Sequence, residues 1–202
     1  MPQPYHKYVF DLNKRKFVGA FEEMYQMEDK ENFDSWLQDD LNHLTKQLAK
    51  TLLDRHSFTS ICDFGCGKGA FTQLLKKANN QVTGVDISSA AIKKARAKHP
   101  EIQFVVGDSE FFKTDQQFAI VIALEVFSYL ENWKEVLADI SNCCKYFLIS
   151  LYIPPNPIGF VKSFDELIFE ISTYFSIKTK LIANDECIIV FGEKHKSIPN
   201  KN

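Results

Sequence analysis

The chain has 202 residues, of which 45% are hydrophobic and 25% charged, the composition of one globular domain with a sizeable core. Its formal net charge is −2, without a basic run longer than a few residues, which argues against nucleic acid as a partner. No apolar run reaches the roughly 20 residues that cross a bilayer, so no membrane partner is expected.

The first residues and the cysteines indicate a soluble cytoplasmic protein. The opening stretch, MPQPYHKYVF, lacks the apolar core of a signal peptide. The cysteine count is odd, and the chain has neither a C-x-x-C pair nor a histidine at metal-ligand spacing, so we expect reduced, buried thiols and no metal site. These cysteines are Cys62, Cys66, Cys143, Cys144 and Cys187.

The first 56 residues carry no strand-like alternation and are predicted to form two helices. Apolar residues recur at helical spacing over residues 17–25 and again over residues 36–48. Asp34 or Ser35 is placed to cap the second helix. The large aromatic side chains of this segment pack either on the core or on a ligand pocket, and both interpretations stay open.

The stretch from Ile61 to Asp86 has the pattern of half a nucleotide-binding α/β unit. A buried strand ends at Asp63, a glycine-rich turn follows, and an amphipathic helix leads to a second strand that Asp86 closes. Glycines adopt backbone angles that other residues avoid and let a ligand approach closely. The first N–H groups of the helix then face the ligand, and the closing acid accepts both ribose hydroxyls. The turn contains Gly65, Cys66, Gly67 and Gly69.

The rest of the chain alternates strands and helices, as in a parallel sheet covered on both faces. Ser88 or Ser89 caps the next helix, and Ser163 with Glu166 forms a capping box for a later one. The last two strands are joined by only four residues and must therefore pair antiparallel. The predicted strands are 102–106, 118–124, 146–152, 175–182 and 187–191, and the predicted helices are 132–142 and 163–172.

The glycine turn alone fits two kinds of cofactor. Gly65, Gly67 and Ala70 satisfy the G-x-G-x-x-G/A fingerprint of dinucleotide sites, with an acid about 20 residues further on. The run D-F-G-C-G-K-G, which contains Asp63, resembles motif I of the class I S-adenosylmethionine-dependent methyltransferases. The run V-V-G-D-S around Asp108 and the run E-V-F-S-Y-L after the fourth strand are similar to further motifs of that family. A closing antiparallel pair is also typical of these methyltransferases, and unusual in a dinucleotide dehydrogenase.

The resemblance covers residues 57–192 and implies a Rossmann-like α/β fold, with a mostly parallel seven-stranded sheet that ends in an antiparallel hairpin. It implies that residues 1–56 fold over the cofactor as a helical lid, and residues 193–202 are expected to form a frayed polar tail. The stretch beginning MYQMED also resembles the entry region of the nodulation-type small-molecule methyltransferases, where a tyrosine and a tryptophan precede motif I. Tyr25 and Trp36 match these two residues.

The cofactor implied by the resemblance is S-adenosylmethionine, and its ligands follow the strand ends. Asp86 binds the ribose, Ile87 packs on the adenine, and Asp108 accepts from the adenine amino group, with a backbone N–H near Ser109 or Glu110 donating to the ring. Glu125 meets the methionine ammonium, directly or through neighbouring backbone carbonyls, unless it caps the next turn. The predicted cofactor-binding residues are Tyr25, Trp36, Asp63, Gly65, Cys66, Gly67, Asp86, Ile87, Asp108, Ser109, Leu124 and Glu125.

A general base is needed only if the acceptor must lose its proton early. The candidates are Glu125, Tyr129, His6 and His43, and each also has a plain interpretation as a packing or solvated side chain. None of the histidines lies in a motif.

The sequence therefore predicts a methyltransferase that acts on the oxygen or nitrogen of a small-molecule acceptor, such as a sugar or another secondary metabolite. The methyl group is displaced in line from the sulfonium, which leaves S-adenosylhomocysteine. Two alternatives stay open: a methyltransferase-like subunit that holds the cofactor without turnover, and a nicotinamide-dependent oxidoreductase. A monomer or a homodimer is expected.

Overall fold

The computed structural model describes residues 3–196 and builds them around one mixed sheet. Its central strands are apolar runs buried on both faces, as a parallel sheet between two helical layers requires. In chain order the strands are β1 (Phe10–Asp11) and β2 (Lys16–Phe17), which form a separate small hairpin, then β3 (Ser60–Phe64), β4 (Gln81–Asp86), β5 (Gln103–Val106), β6 (Phe118–Leu124), β7 (Cys144–Tyr152), β8 (Phe175–Ala183) and β9 (Cys187–Lys194).

The sheet has the order β5-β4-β3-β6-β7-β9-β8. The strands β3 to β7 are parallel, and β9 runs antiparallel between β7 and β8. The chain moves outward from β3 to β5 and then returns to β6, so the carboxyl ends of β3 and β6 form a topological switch point. The register pairs Phe64 with Ala123, which brings the residues after these two strands to the same edge. The predicted fold class is confirmed.

Helices cover both faces of the sheet, and the strand β6 shows how its side chains are divided between them. Val121 and Ala123 pack in the core that contains α5 and α6, whereas Ile120 and Ile122 face the core that contains α3 and α4. Within residues 3–196, no helix is both long and apolar enough to span a membrane. The helices are α1 (His6–Val9), α2 (Phe21–Glu31), α3 (Leu44–Asp54), α4 (Ser89–Lys98), α5 (Trp133–Cys143) and α6 (Phe164–Tyr174).

Two local signals act as predicted. The Ser88 hydroxyl accepts the N–H of Ala91 at 3.1 Å and caps α4, and the Ser163 hydroxyl accepts the N–H of Glu166 at 3.1 Å and caps α6. The second half of the predicted capping box is different, because the Glu166 carboxylate accepts the N–H of Lys162.

The strand β9 continues to Lys194, three residues past its predicted end, so the polar tail does not begin at residue 193. The last part of the predicted tail, residues 197–202, lies outside the described residues.

The second N-terminal helix begins later than predicted. Neither Asp34 nor Ser35 caps it, because the chain forms a short 3-10 turn at Ser35–Leu37, and α3 begins only at Leu44. Trp36 and Leu37 have φ values of 60° and 49°, which break any helix through this region. A hairpin of two short strands also precedes α2, where the sequence showed no strand pattern.

The helix predicted after the glycine turn is a 3-10 turn, Thr72–Leu75. The chain must reach β4 in a few residues, and Asn80 stabilises this tight connection. Its side-chain amide donates to the Leu75 carbonyl at 2.8 Å, while its side-chain oxygen accepts the N–H of Lys77 at 2.8 Å. These bonds satisfy backbone groups that a longer helix would satisfy internally.

Candidate functional site

A cavity of about 500 Å³ opens at the switch point, between the strand ends and the N-terminal segment. Most residues predicted for the site line it, and two do not: Gly67 and His6. The predicted residues that line the cavity are Tyr25, Trp36, His43, Asp63, Gly65, Cys66, Asp86, Ile87, Asp108, Ser109, Leu124, Glu125 and Tyr129.

The backbone N–H groups of the glycine turn are already hydrogen-bonded within the protein. Those of Gly65 and Cys66 both donate to the Val85 carbonyl, at 2.7 and 3.0 Å. The N–H of Gly67 donates to Asp86 at 2.9 Å, and that of Lys68 donates to a side chain from the N-terminal segment. These bonds hold the shape of the turn. The prediction that the first N–H groups of the following helical turn face a ligand concerns residues beyond them and stays a prediction.

Asp86 closes β4 and is only 8% exposed. Its two carboxylate oxygens accept the N–H groups of Gly67 and Ser88, both at 2.9 Å. Burial raises the pKa of Asp86 to about 6, and the two hydrogen bonds oppose that rise. A carboxylate has about four acceptor positions. Two of them remain for a ligand with vicinal hydroxyls in the cavity.

Asp63 is the buried acid inside the glycine motif. Its carboxylate accepts the Thr72 hydroxyl at 2.6 Å, a partner that the sequence did not indicate. Burial raises the pKa of Asp63 to about 7, and the Thr72 hydrogen bond opposes the rise. The Asp63 side chain thus ties the strand end to the 3-10 turn that follows.

Ile87, Asp108 and Ser109 form the end of the cavity nearest to the sheet edge. The Ile87 side chain is 60% exposed, so an apolar surface is available there without rearrangement. One oxygen of Asp108 accepts the N–H of Glu110 at 2.9 Å, which fixes the exposed carboxylate at the mouth. An apolar side chain beside a carboxylate suits a flat ring that carries an amino group.

Glu125 follows β6 in a left-handed conformation, with φ of 63°. One carboxylate oxygen accepts the Ser150 hydroxyl at 2.8 Å, and the other accepts the N–H of Tyr152 at 2.6 Å. The Glu125 side chain therefore bridges to β7 and does not cap the turn after β6. Burial raises its pKa, while both hydrogen bonds lower it. A strained backbone and a buried carboxylate in one residue are typical of a functional position.

Tyr129 stands at the centre of an aromatic wall. Its ring lies 5.2 Å from that of Trp36, 5.5 Å from that of Phe21 and 6.0 Å from that of Phe17. Burial raises the pKa of Tyr129 far above its usual value, and the Glu125 carboxylate raises it further. Tyr129 therefore stays protonated at neutral pH. The sequence did not predict the contribution of Phe17 and Phe21 to this wall.

The two candidate histidines differ in position. His6 packs edge-on against Tyr5, with ring centroids 4.8 Å apart, and its Nδ1 accepts the N–H of Gln3. Burial lowers its pKa. His43 lines the cavity, but its Nδ1 lies 2.8 Å from the Thr45 hydroxyl, to which it is hydrogen-bonded. The structure does not bring His6 to the site.

Gln38 is a cavity residue that the sequence gave no reason to select. Its carboxamide oxygen accepts the N–H of Lys68 at 2.7 Å, and its amide donates to the Tyr25 hydroxyl at 2.6 Å. The amide packs so closely on Gly67 that a Cβ there would lie 2.1 Å from its nitrogen. This contact explains why Gly67, although it belongs to the motif, is covered and does not line the cavity.

Part of the chain matches a family model. Residues 61–146 match the family model described as a methyltransferase domain. Nodulation protein S of Bradyrhizobium diazoefficiens is 32% identical over 111 residues, which cover 54% of this chain and 51% of that protein. Trans-aconitate 2-methyltransferase of Enterobacter sp. is 36% identical over 112 residues, which cover 54% and 44%. The chain spans about half the length of the curated relatives that it matches.

The resemblance to class I methyltransferases is confirmed. The N-methyltransferase NodS of Bradyrhizobium japonicum, solved with S-adenosylhomocysteine, superposes with a TM-score of 0.68 and 18% identity, over 85% of this chain and 98% of that one. The magnesium protoporphyrin IX methyltransferase of Synechocystis, solved with S-adenosylmethionine, has a TM-score of 0.63 and 18% identity, over 78% and 80%. At these identities the superpositions establish the fold. The cofactor predicted from the sequence is the one that these methyltransferases bind.

Proposed function

We propose that this protein binds S-adenosylmethionine in the cavity and transfers its methyl group to the oxygen or nitrogen of a small molecule. The observation that carries the proposal is the convergence of Asp86, Asp108 and Glu125 on one cavity at the switch point of a methyltransferase sheet. Each of these carboxylates ends or follows a different parallel strand, where ligands of such sheets bind.

The residues present fit the parts of this cofactor. Asp86 has two acceptor positions left for the ribose hydroxyls, and Ile87 offers an exposed apolar surface beside Asp108 for the adenine. Glu125, with the Leu124 carbonyl before it, supplies the negative charge and acceptors that a methionine ammonium requires. The nicotinamide alternative is disfavoured because the turn N–H groups that would hold a pyrophosphate are occupied.

The cofactor supplies an activated methyl group on a sulfonium, and the protein's own task is alignment and exclusion of water. The ring of Tyr129 and its aromatic neighbours form an apolar wall facing the glycine turn. Holding two reactants in line on such a surface contributes about 7–11 kcal/mol where the geometry is well matched.

The charges of the cavity favour a neutral or basic acceptor. Among the described residues, Lys46 is the lysine of its lining and His43 the histidine, and no arginine lines it. The Lys46 ammonium already donates to three backbone carbonyls, and the ring of His43 is hydrogen-bonded to Thr45. Within the described lining the Lys46 ammonium is already engaged, so a carboxylate acceptor would lack a free lysine partner there and would be repelled by Glu125. The N-methyltransferase activity of the similar Bradyrhizobium japonicum structure supports nitrogen as the methylated atom.

Isothermal titration with S-adenosylhomocysteine, S-adenosylmethionine and NADH tests the cofactor. We expect micromolar affinity for the two sulfur ligands and no heat from NADH. Heat from NADH alone would contradict the assignment. A panel of amines, alcohols and carboxylates is then incubated with S-adenosylmethionine, and S-adenosylhomocysteine release is measured. Cofactor binding without release for any acceptor in the panel would favour the alternative of a subunit without turnover.

A further inference from the structure

The segment Asp34–Asp40 lies across the glycine turn and is held there by two ammonium groups, those of Lys68 and Lys46. Lys68, in the fourth position of G-C-G-K-G, has a side chain only 5% exposed and forms three ion pairs with the N-terminal segment. Its partners are Glu28 at 2.8 Å, Asp34 at 2.8 Å and Asp39 at 3.1 Å. Burial by itself lowers the pKa of Lys68, but these carboxylates outweigh it and the pKa is raised.

The second ammonium group, that of Lys46, binds the backbone of the segment. Lys46, on α3, donates to the carbonyls of Leu37, Gln38 and Asp40 at 2.6, 3.1 and 2.9 Å. The first of these carbonyls belongs to Leu37, whose φ of 49° lies outside the right-handed helical region. The segment is therefore shaped both by Lys46, six to nine residues away, and by Lys68, which is 34 residues from Asp34 and 29 from Asp39.

The backbone of the segment is strained where it carries its aromatic side chain into the cavity. Trp36 and Leu37 are consecutive non-glycine residues in the left-handed region, at φ of 60° and 49°. Such residues cost about 1–2 kcal/mol each and persist only where surrounding contacts hold them. The result is that Trp36 packs 5.2 Å from Tyr129 and 5.0 Å from Tyr5, as part of the cavity wall.

Gln38 joins this segment directly to the cofactor motif. It accepts the Lys68 N–H at 2.7 Å, donates to Tyr25 at 2.6 Å, and rests on the Cα of Gly67. Because Gly67 has no side chain, it leaves space for the side chain of Gln38. The motif lysine points away from the cavity, since Lys68 does not line it, and toward the carboxylates of the segment.

We propose that Lys68 and Gln38 are positioning residues that hold the segment Asp34–Asp40 closed on the glycine turn, so that Trp36 completes the cofactor cavity. The proposal rests on the proposed function, because it assigns these residues to the same site. Lys68 does not line the cavity, and the Gln38 carboxamide is already engaged by the Lys68 N–H and the Tyr25 hydroxyl. Lys68 and Gln38 act through Trp36 and Tyr25, and they set the fraction of molecules whose cavity is complete.

The expected effect follows from that fraction. When only part of the population is competent to bind, the apparent dissociation constant rises in inverse proportion to the competent fraction. We expect Lys68→Met and Gln38→Ala to weaken S-adenosylhomocysteine binding at least about tenfold, corresponding to a closed fraction of about one tenth. Lys68→Arg retains the charge and is expected to restore affinity to within about threefold.

The matched control is Lys98→Met. Lys98 belongs to the same charge cluster and pairs with Asp39 at 3.3 Å, but its side chain is 50% exposed. Removing this charge is expected to change affinity less than about twofold, as for other exposed pairs.

Fluorine NMR of protein labelled with 5-fluorotryptophan separates a change in the segment from loss of the fold. The chain has two tryptophans. Trp36 reports on the segment, and Trp133, the first residue of α5 and 3% exposed in the core, reports on the domain. Trp36→Phe assigns the two signals.

We expect Lys68→Met to shift or broaden the Trp36 signal, to leave the Trp133 signal in place, and to weaken S-adenosylhomocysteine binding, with recovery in Lys68→Arg. Unchanged or increased affinity in Lys68→Met, or a displaced Trp133 signal, would overturn the inference. Absence of S-adenosylhomocysteine binding by the natural chain would instead overturn the proposed function. In that case the Trp36 signal still reports whether Lys68 holds the segment.

Discussion

Replacing Asp86 with asparagine separates the role of this residue in the fold from its role in binding. The side chain is nearly isosteric, and it keeps one acceptor oxygen for one of the two backbone N–H groups at 2.9 Å. The loss of one charge-assisted hydrogen bond costs about 1.5–3 kcal/mol. Removing a carboxylate whose burial has raised its pKa to about 6 offsets part of that cost. We therefore expect a net loss of about 1 kcal/mol in the free energy of unfolding.

The effect on binding is expected to be larger. In the proposed complex, the acceptor positions of Asp86 that are not used by the backbone receive both ribose hydroxyls. Asparagine carries no charge, and its amide nitrogen cannot accept a hydrogen bond, so both charge-assisted hydrogen bonds to the hydroxyls are lost. At about 1.5 kcal/mol each, the lower end of the usual range, this gives roughly 100-fold weaker S-adenosylhomocysteine binding. Asp115→Asn, at an exposed position outside the cavity, is the matched control.

The raised pKa of Asp86 predicts a pH dependence that provides a second test. Burial raises the pKa of Asp86 to about 6, so the folded protein holds this proton more tightly than the unfolded chain does. Ionisation of Asp86 therefore lowers stability as the pH rises from about 4 to 6, while it creates the form that binds ribose. We expect the affinity of the natural chain to fall as the pH drops below 6, and that of Asp86→Asn to change less. Titration calorimetry and urea unfolding across this range measure both quantities. Affinity within threefold of the natural chain in Asp86→Asn would refute the ribose assignment.

Three further substitutions test the structure around the cavity. Gly65→Ala places a Cβ at φ of 75° and 2.2 Å from Val126, and strain plus the clash predict a loss of about 2–4 kcal/mol in urea unfolding. Asp63→Asn removes a carboxyl whose pKa burial raises to about 7, so the decrease in thermal stability from pH 4 to 7 is expected to become smaller in this variant. Glu22→Ala removes a carboxylate that accepts from two serine hydroxyls and a backbone N–H at the start of α4, with an expected cost of about 1–2 kcal/mol.

Each of these three predictions has an outcome that would contradict it. A Gly65→Ala variant as stable as the natural chain would show that the turn tolerates a side chain. A pH profile unchanged by Asp63→Asn would mean that another group titrates there. For Glu22→Ala, the contrary result is an unchanged unfolding midpoint. Glu23→Ala, one residue along the same helix, is its control.

Much of the sheet could be predicted from the chain because its signals are local. The strand β6 has the predicted bounds, 118–124, since a continuous apolar run between polar residues has few other solutions. The Ser88 cap and the antiparallel ending follow from nearest neighbours in sequence. The positions of Asp86, Asp108 and Glu125 at one edge follow from the same rule, because parallel strands place their carboxyl ends together.

The N-terminal segment could not be predicted in the same way. The apolar spacing from Trp36 to Leu48 indicates a helix, yet the chain between Asp34 and Leu44 is shaped by Lys46 and Lys68. Ion pairs between residues some 30 positions apart produce no periodic pattern in the sequence. They outweigh a helix propensity of only a few tenths of a kcal/mol per residue. The 3-10 turn after the glycine motif could not be predicted either, because it results from the short connection to β4.

By itself, the sequence determined the sheet, the glycine turn and the acids at the strand ends, because each depends on hydrophobic periodicity or on the conformation of a few adjacent residues. Only the tertiary structure decided that the N–H groups of the turn are hydrogen-bonded to Val85, Asp86 and Gln38, that His6 lies outside the cavity, and that Gln38 covers Gly67. The physical reason is that hydrogen-bond partners and packing neighbours far apart in the chain are chosen by the folded geometry, which no local pattern encodes.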